Sequence, residues 1–562
     1  MNGADLVCSV LRRLEVQCVF GLPGTQNVRL YEAMRASGLR RVVSADEGSA
    51  AFMAAGYARA SGRVGVLTTI PGPGFVYALP GIVEARHDSV PLLWITLRQA
   101  DLGRAFQLQR IDQAGMAAPA VKQCLHVGSG DALVTTLAAA HELARAGEPG
   151  PVLVEIDAAL LDTNGADSTV ARSRPAMPQT EALAARLAGS RHPVLYVGQG
   201  AQDASEAVRA LARRLQAPVL CTSSGRGVLP DTDALAFAKD FSTGVGLVVP
   251  DLIERADLVL TLGCKFTHNG SGGGELSLPE AKHARVDASP EVLSANYPAS
   301  LAVAGRVEDV LSALAGASLP VSQWRSEDLR ALRARLAAES AVPIPLEPTL
   351  PDLNGGSIRS FFEALAEAAG ERGVYVADAG LHQALTRQYA RVLRPRGLLC
   401  PSDFQSMGFG LPGAIGAAIA LPQAQVVACI GDAGLVLSMG DLLTAAREGV
   451  SLVVVVFNDG QMSLIRRQQL TNYGHESGVA VANPDYAALA QAIGCSYFPV
   501  AGDPLELARQ VLAAGGLRLV ELRLADRPSL EWQRLRAVVR EGLRARLPSG
   551  AVQSLKRLLG RH

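Results

Sequence analysis

Two acidic residues stand where long apolar runs give out. Cys429-Ile430-Gly431-Asp432-Ala433-Gly434 ends one run, and Asn458-Asp459-Gly460 ends the next, which begins at Leu452. One strand-helix-strand return separates them. In an open parallel sheet both carboxylates then reach the carboxyl ends of neighbouring strands, the edge where such sheets bind ligands. Two carboxylate oxygens, with a main-chain carbonyl just beyond, suit Mg2+ and leave places for water and two phosphate oxygens. Gly431 and Gly434 let main chain come close to a diphosphate. A pair of acidic strand-end turns in any doubly wound fold would look the same, so the remaining candidates decide.

Four further stretches carry chemistry. Glu47 opens a helix of small residues that runs to Gly56-Tyr57-Ala58-Arg59. It is either a first-turn charge stabilised by the helix dipole, or a carboxyl poorly enough solvated to favour its acid form. Asp378-Ala379-Gly380-Leu381-His382-Gln383 joins an apolar run to a helix. Its His and Gln either cap that helix or face an anion at its N-terminus. Gln405-Ser406-Met407-Gly408 precedes a glycine-rich helix, and Met407 is either a core filler or a flexible thioether for an irregular gap. Phe106 and Gln107 lie in a polar loop, on the surface or beside a ligand.

Elements must hold these residues. The first third alternates helix-like stretches (4–14, 28–34, 75–86) with strand-like ones (19–20, 41–45, 64–69, 91–96, 150–157), an α/β pattern. Residues 162–179 turn to Thr, Asn, Ser, Arg and Pro, a linker. A second α/β unit follows, with strands near 193–197, 218–222, 256–262 and 284–287. Gly198-Gln199-Gly200 ends its first strand without the third glycine of a dinucleotide fingerprint. A charged helix (327–339) and a proline-rich connector (342–351) lead to a third unit, with a helix at 358–369 and strands at 374–377 and 519–524. Beyond it, Trp532, Leu535, Val538, Leu543 and Leu547 recur at helical spacing among arginines, which predicts a basic tail helix packed on the protein.

A chain of 562 residues is long enough for about three to four domains. Its 53 basic and 53 acidic residues are interspersed, which leaves no electrostatic footprint for nucleic acid. The eight cysteines are scattered without a CxxC pair and read as reduced core thiols. The first twenty residues are broken by charge and no apolar run reaches membrane-spanning length, so a cytoplasmic protein without a membrane partner is expected.

Taken in order, the Glu47 helix, the Pro71-Gly72-Pro73-Gly74 turn, the Asp378 loop, the Met407 segment and the Asp432 to Asp459 motif resemble the acetolactate synthase-like thiamine-diphosphate enzymes. The resemblance implies three doubly wound parallel-sheet α/β domains with a C-terminal helical tail: a pyrimidine-binding domain (1–165), a central domain (185–320), a diphosphate-binding domain (355–525) and the tail (526–562). It implies thiamine diphosphate and Mg2+. The metal would be held by Asp432, Asp459 and the main-chain oxygen of Gln461. Glu47 would share a proton with the cofactor's pyrimidine and so promote its activation. Gly380, His382, Gln383, Gly431, Ala433 and Gly434 would line the diphosphate. Met407 would hold the two rings bent, and the Gln405 carbonyl would accept from the cofactor's amino group. Phe106 and Gln107, with the segment to Lys122, would face the substrate.

The implied reaction is decarboxylation of a 2-oxo acid with transfer of the acyl group to a second 2-oxo acid or an aldehyde. The alternatives are a plain decarboxylase that releases an aldehyde, and a silent cofactor binder. A site between two subunits makes a homodimer or homotetramer the expected state. Some relatives hold FAD in the central domain, and Ser224-Gly225-Arg226-Gly227-Val228-Leu229-Pro230 resembles a recurrent turn there; FAD is left open. Departures fall on the substrate side. Gln468 stands where branched-chain acetolactate synthases carry a tryptophan, Ser463 replaces a common Gly, and Arg466-Arg467 lie beside the cleft, where a substrate carboxylate could pair with one of them. His87 is given no role.

Overall fold

A computed structural model describes residues 1–165, 178–238, 245–341, 348–352 and 357–525. The tail expected at 526–562, most of the linker and much of the proline-rich connector lie outside them.

Three six-stranded sheets follow one another, and every strand pairing within them is parallel. The first holds β1 (Cys18–Gly21), β2 (Arg40–Val43), β3 (Gly65–Thr69), β4 (Leu92–Arg98), β5 (Gln123–Val127) and β6 (Pro151–Asp157), in the order β2-β1-β3-β4-β6-β5. The second holds β7 (Pro193–Val197), β8 (Val219–Cys221), β9 (Ala236–Ala238), β10 (Leu258–Leu262), β11 (His283–Asp287) and β12 (Leu301–Ala304), ordered β12-β11-β10-β7-β8-β9. The third holds β13 (Gly373–Ala377), β14 (Leu398–Leu399), β15 (Gln425–Gly431), β16 (Leu452–Asn458), β17 (Ser496–Pro499) and β18 (Leu517–Arg523), ordered β14-β13-β15-β16-β18-β17. Strands such as β15 and β16 are continuous apolar runs because helices cover both faces of the sheet.

The first and third units share one apolar core, while the second has its own. The shared core is centred on the crossing of helix Glu47–Ser61 with helix Gly410–Ala420. Small residues make that crossing close: a Cβ on Gly56 would lie 2.1 Å from the Gly413 carbonyl oxygen, and one on Gly416 would lie 2.0 Å from the Met53 carbonyl oxygen. The Ala and Gly of the Glu47 helix are therefore the surface that docks the two outer domains. The eight cysteines are free thiols, six of them buried. Among the described residues no helix is long and apolar enough to cross a membrane.

Candidate active site

The carboxyl ends of β15 and β16 lie side by side, with Gly431 opposite Phe457, so Asp432 and Asp459 leave the sheet at one edge. Asp432 is buried; its Oδ1 accepts from Ala433 N at 2.8 Å, and its Oδ2 accepts from Gly460 N at 2.8 Å and Asn483 Nδ2 at 2.9 Å. Asp459 accepts from Gln461 N at 3.3 Å and from the Ser463 hydroxyl. The Gln461 carbonyl accepts from Ser463 N at 3.0 Å and retains a second lone pair. This loop is pinned by Met462 N to the Val479 carbonyl at 2.8 Å and by Val481 N to the Gly460 carbonyl at 2.9 Å. Asn483, which also donates to Asn458 Oδ1 at 2.8 Å, was not singled out in the sequence. Its Asn-Pro dipeptide is a turn signal that could have drawn attention to it. Among the described residues no three His, Cys, Asp or Glu side chains gather as a metal cluster. Two carboxylates and one carbonyl fit an ion that takes its remaining ligands from phosphate and water.

His382 lies over the Gly431 turn. A Cβ on Gly431 would sit 2.8 Å from His382 Nδ1, and one on Gly380, at φ +144°, would sit 2.6 Å from His382 Cε1. The ring is buried, which pushes its pKa down to about 4 and keeps it neutral, and its Nε2 is buried without a hydrogen-bond partner. A glycine cradle with an orphaned imidazole nitrogen fits an anionic guest. Gln383 sits otherwise: its amide Nε2 donates to the Pro401 carbonyl at 2.9 Å, which ties helix Leu381–Tyr389 to the loop before Met407.

That loop ends in a constrained turn. Gln405 is left-handed at φ 63°, and its side chain donates to the Pro401 and Ser402 carbonyls at 2.9 and 2.7 Å. Met407 follows, 42% exposed, beside the similarly open Leu437, whose Cβ would lie 3.5 Å from a Cβ on Gly408. Gly408 N donates to Asp378 Oδ2 at 2.9 Å, and Ser406 N donates to Glu84 Oε2 at 2.9 Å. Asp378 is completely buried, which raises its pKa to about 6. The sequence had singled out its loop for His382 and Gln383, and gave no sign of this second task.

Glu47 belongs to the first domain. It is 8% exposed, burial raises its pKa, and the only hydrogen-bond donor to its carboxyl among the described residues is its own main-chain N–H. Gly74 makes room for it, since a Cβ there would lie 2.4 Å from Glu47 Oε1. Asp46 caps the helix through Ser49 N at 2.9 Å, and Asp441 of the third domain accepts from Ala45 N at 3.0 Å. The raised pKa has a physical cause: a carboxyl held against Gly74 with no cation beside it.

The expected substrate loop is open in the single chain. Phe106, at φ 57°, is fully exposed, and Gln107 bonds within its own loop, to the Ala100 carbonyl at 3.0 Å and from Leu102 N at 3.3 Å. Lys122 has a different task from the one expected, donating to the Leu143 and Ala146 carbonyls at the C-terminus of helix Gly130–Arg145. Arg466 is buried against Glu476 and so does not offer its charge to the cleft, while Gln468 is exposed. His87 Nδ1 donates to the Val83 carbonyl at 3.0 Å, and the ring packs on Phe404.

Comparison with known families matches residues 1–116 to the N-terminal TPP binding domain of thiamine pyrophosphate enzymes, 180–314 to their central domain and 378–522 to their C-terminal TPP binding domain. An acetolactate synthase of Mycobacterium bovis is 31% identical over 88% of this chain and 83% of its own length. A probable 2-ketoarginine decarboxylase of Pseudomonas aeruginosa is 34% identical over 93% of this chain and 94% of its own. The large subunit of acetolactate synthase isozyme 1 of Escherichia coli is 28% identical over 93% and 94%. Three matched domains in sequence order, over three parallel sheets, place the chain in the acetolactate synthase-like family of thiamine pyrophosphate enzymes, as an enzyme of the thiamine-dependent transferase or lyase type.

Proposed function

We propose that the chain decarboxylates a 2-oxo acid and passes the acyl group to a second 2-oxo acid or an aldehyde. The observation that carries this is the pairing of two half-sites: a buried acid without a cation, Glu47, on the first domain, and a carboxylate and glycine edge with an orphaned imidazole on the third. Bound thiamine diphosphate supplies the electron sink that lets a 2-oxo acid lose CO2. Asp432, Asp459 and the Gln461 carbonyl would hold Mg2+, Gly431, Ala433, Gly434 and Gly380 would line the diphosphate, and His382 would lie beside it. Gln383 serves this edge by holding the helix that carries His382. Met407 would support the bent cofactor, and the left-handed Gln405 would offer its carbonyl to the cofactor's amino group. Glu47 would share a proton with the pyrimidine.

Both half-sites have apolar rims: Tyr77, Phe106 and Leu108 on the first domain, Met407, Leu437 and Leu464 on the third, each at least 42% exposed. Covering them from a second copy completes the site, so the working state is a homodimer or a homotetramer built from it. Phe106 then gives an apolar wall and Gln107 a hydrogen bond to the substrate.

FAD has no part in this proposal. The cavity at the carboxyl end of β7, lined by Gly198, Gln199 and Gly200, holds about 220 Å3, below the roughly 300–1,000 Å3 usual for small-molecule sites. Gln199 spends its amide on the Asp88 and Ser89 carbonyls, and Lys265 pairs with Glu148 across the wall at 2.6 Å.

A second reading, a decarboxylase that releases an aldehyde, is favoured by the relative named as a probable 2-ketoarginine decarboxylase and by the exposed Gln468 in place of a tryptophan. Incubation with thiamine diphosphate, Mg2+ and a panel of 2-oxo acids, with and without aldehyde acceptors, separates the two by mass spectrometry. Coupled product supports the carboligase; aldehyde alone supports the decarboxylase.

A further inference from the structure

Helix Pro73–His87 of the first domain carries Glu84 and ends at its C-cap Asp88, one turn on, and both carboxyls grip the loop that leads to Met407. Asp88 accepts from Ser402 N at 3.1 and 3.2 Å, and is neutralised by Arg59, whose Nη1 lies 2.7 Å from Asp88 Oδ2 and also donates to the Cys400 carbonyl. Glu84, one turn earlier and 1% exposed, accepts from Ser406 N at 2.9 Å with Oε2, and the Ser406 hydroxyl also bears on its carboxyl. On the other side of Met407, Gly408 N is held by Asp378 of the third domain. The amides flanking Met407 are thus fixed by two buried carboxyls from different domains. Glu84 carries no Arg partner of its own; burial and the neighbouring Asp88 charge push its pKa up to about 8, against smaller opposing pulls from the Ser406 amide, the Ser406 hydroxyl and Arg59. The grip on the Ser406 amide does not need the ionised form, because a protonated carboxyl keeps a carbonyl oxygen that accepts.

We infer that Glu84 is a positioning residue: through the Ser406 amide it makes the placing of Met407 depend on the first domain's grip. The inference rests on the reading of Met407 as the side chain between the cofactor rings. A carboxyl buried at a domain contact costs stability unless it holds something, and here it holds Ser406, next to Met407.

The test uses the full chain and three variants: Glu84→Met, which keeps the volume but has no oxygen; Glu84→Gln, which keeps the acceptor; and Met407→Ala. Amide exchange is followed in the cofactor-free protein, and thiamine diphosphate affinity by titration with Mg2+ present. Glu84→Met should speed exchange at Ser406 about tenfold and weaken cofactor binding about tenfold, the loss of one buried hydrogen bond, while the amides of β13 keep their protection. Glu84→Gln should restore both to within about twofold of the parent. Unchanged Ser406 exchange in a folded Glu84→Met variant, or a Gln variant as loose as the Met one, would overturn the role of Glu84. Met407→Ala that binds thiamine diphosphate as tightly as the parent would overturn the reading of Met407 itself, whatever the exchange data show for Ser406.

Discussion

A single methyl group added at Gly74 tests the slot around Glu47. Gly74 is the second residue of helix Pro73–His87 and has no left-handed φ, so alanine suits its backbone. Its Cβ, however, would lie 2.4 Å from Glu47 Oε1 and 2.7 Å from Ile70 Cγ1, where ordinary contact begins at 3.4 Å. The Glu47 carboxyl must then retreat by about 1 Å, and misplacement of a reacting group by about that much can cost 10²-fold in rate. Stability should change little, because overpacking of about 1–3 kcal/mol is partly offset by the gain of about 1 kcal/mol in helix propensity. The assay is CO2 release from a 2-oxo acid at saturating thiamine diphosphate and Mg2+, with Tm measured alongside. Gly74→Ala should fall about 100-fold in kcat while melting within a few degrees of the parent. A folded Gly74→Ala enzyme with parental kcat would refute the claim that the position of the Glu47 carboxyl matters.

Three other perturbations follow from the same geometry. Gly56→Ala drives a methyl into the Gly413 carbonyl at 2.1 Å, so it should destabilise the contact between the outer domains by about 3 kcal/mol and lower the Tm, read by calorimetry. His382→Leu removes the imidazole whose Nε2 has no partner; thiamine diphosphate affinity should drop about tenfold or more while affinity for thiamine without its diphosphate stays the same, measured by titration. Burial raises the Glu84 carboxyl from its ordinary 4.5 to about 8, so in that interval the folded protein keeps a proton that the unfolded chain gives up, and stability falls as pH rises. Glu84→Gln should flatten the decline of Tm between pH 5 and 8; a variant with the parental slope would show that another group sets it.

The sheets were legible because their strands are apolar runs closed by Gly, Asp and Asn: 193–197, 374–377 and the runs to Asp432 and Asp459 all fall on strands. Edge and short strands were not, since β9, β12, β14 and β17 offer two to four residues with no sustained pattern. Glu47 could be singled out because a charge before a run of Ala and Gly is unusual. Glu84 and Asp441 could not, because each looks like an ordinary helix charge in sequence, and only the partner domain, reached from more than 300 residues away for Glu84, shows what it holds. The partners of Lys122 and Arg466 were hidden for the same reason: a basic residue near a cleft in sequence has no stated partner until the helix end or the glutamate beside it is seen.

The central claim is that Glu47 is the acid on which thiamine-dependent decarboxylation depends. The most direct test compares the parent and Glu47→Gln for CO2 release across the 2-oxo acid panel, at matched, titrated saturation with thiamine diphosphate and Mg2+. The account predicts release by the parent and its loss by at least about 100-fold in a variant that still binds the cofactor. Equal release by the two proteins would contradict it.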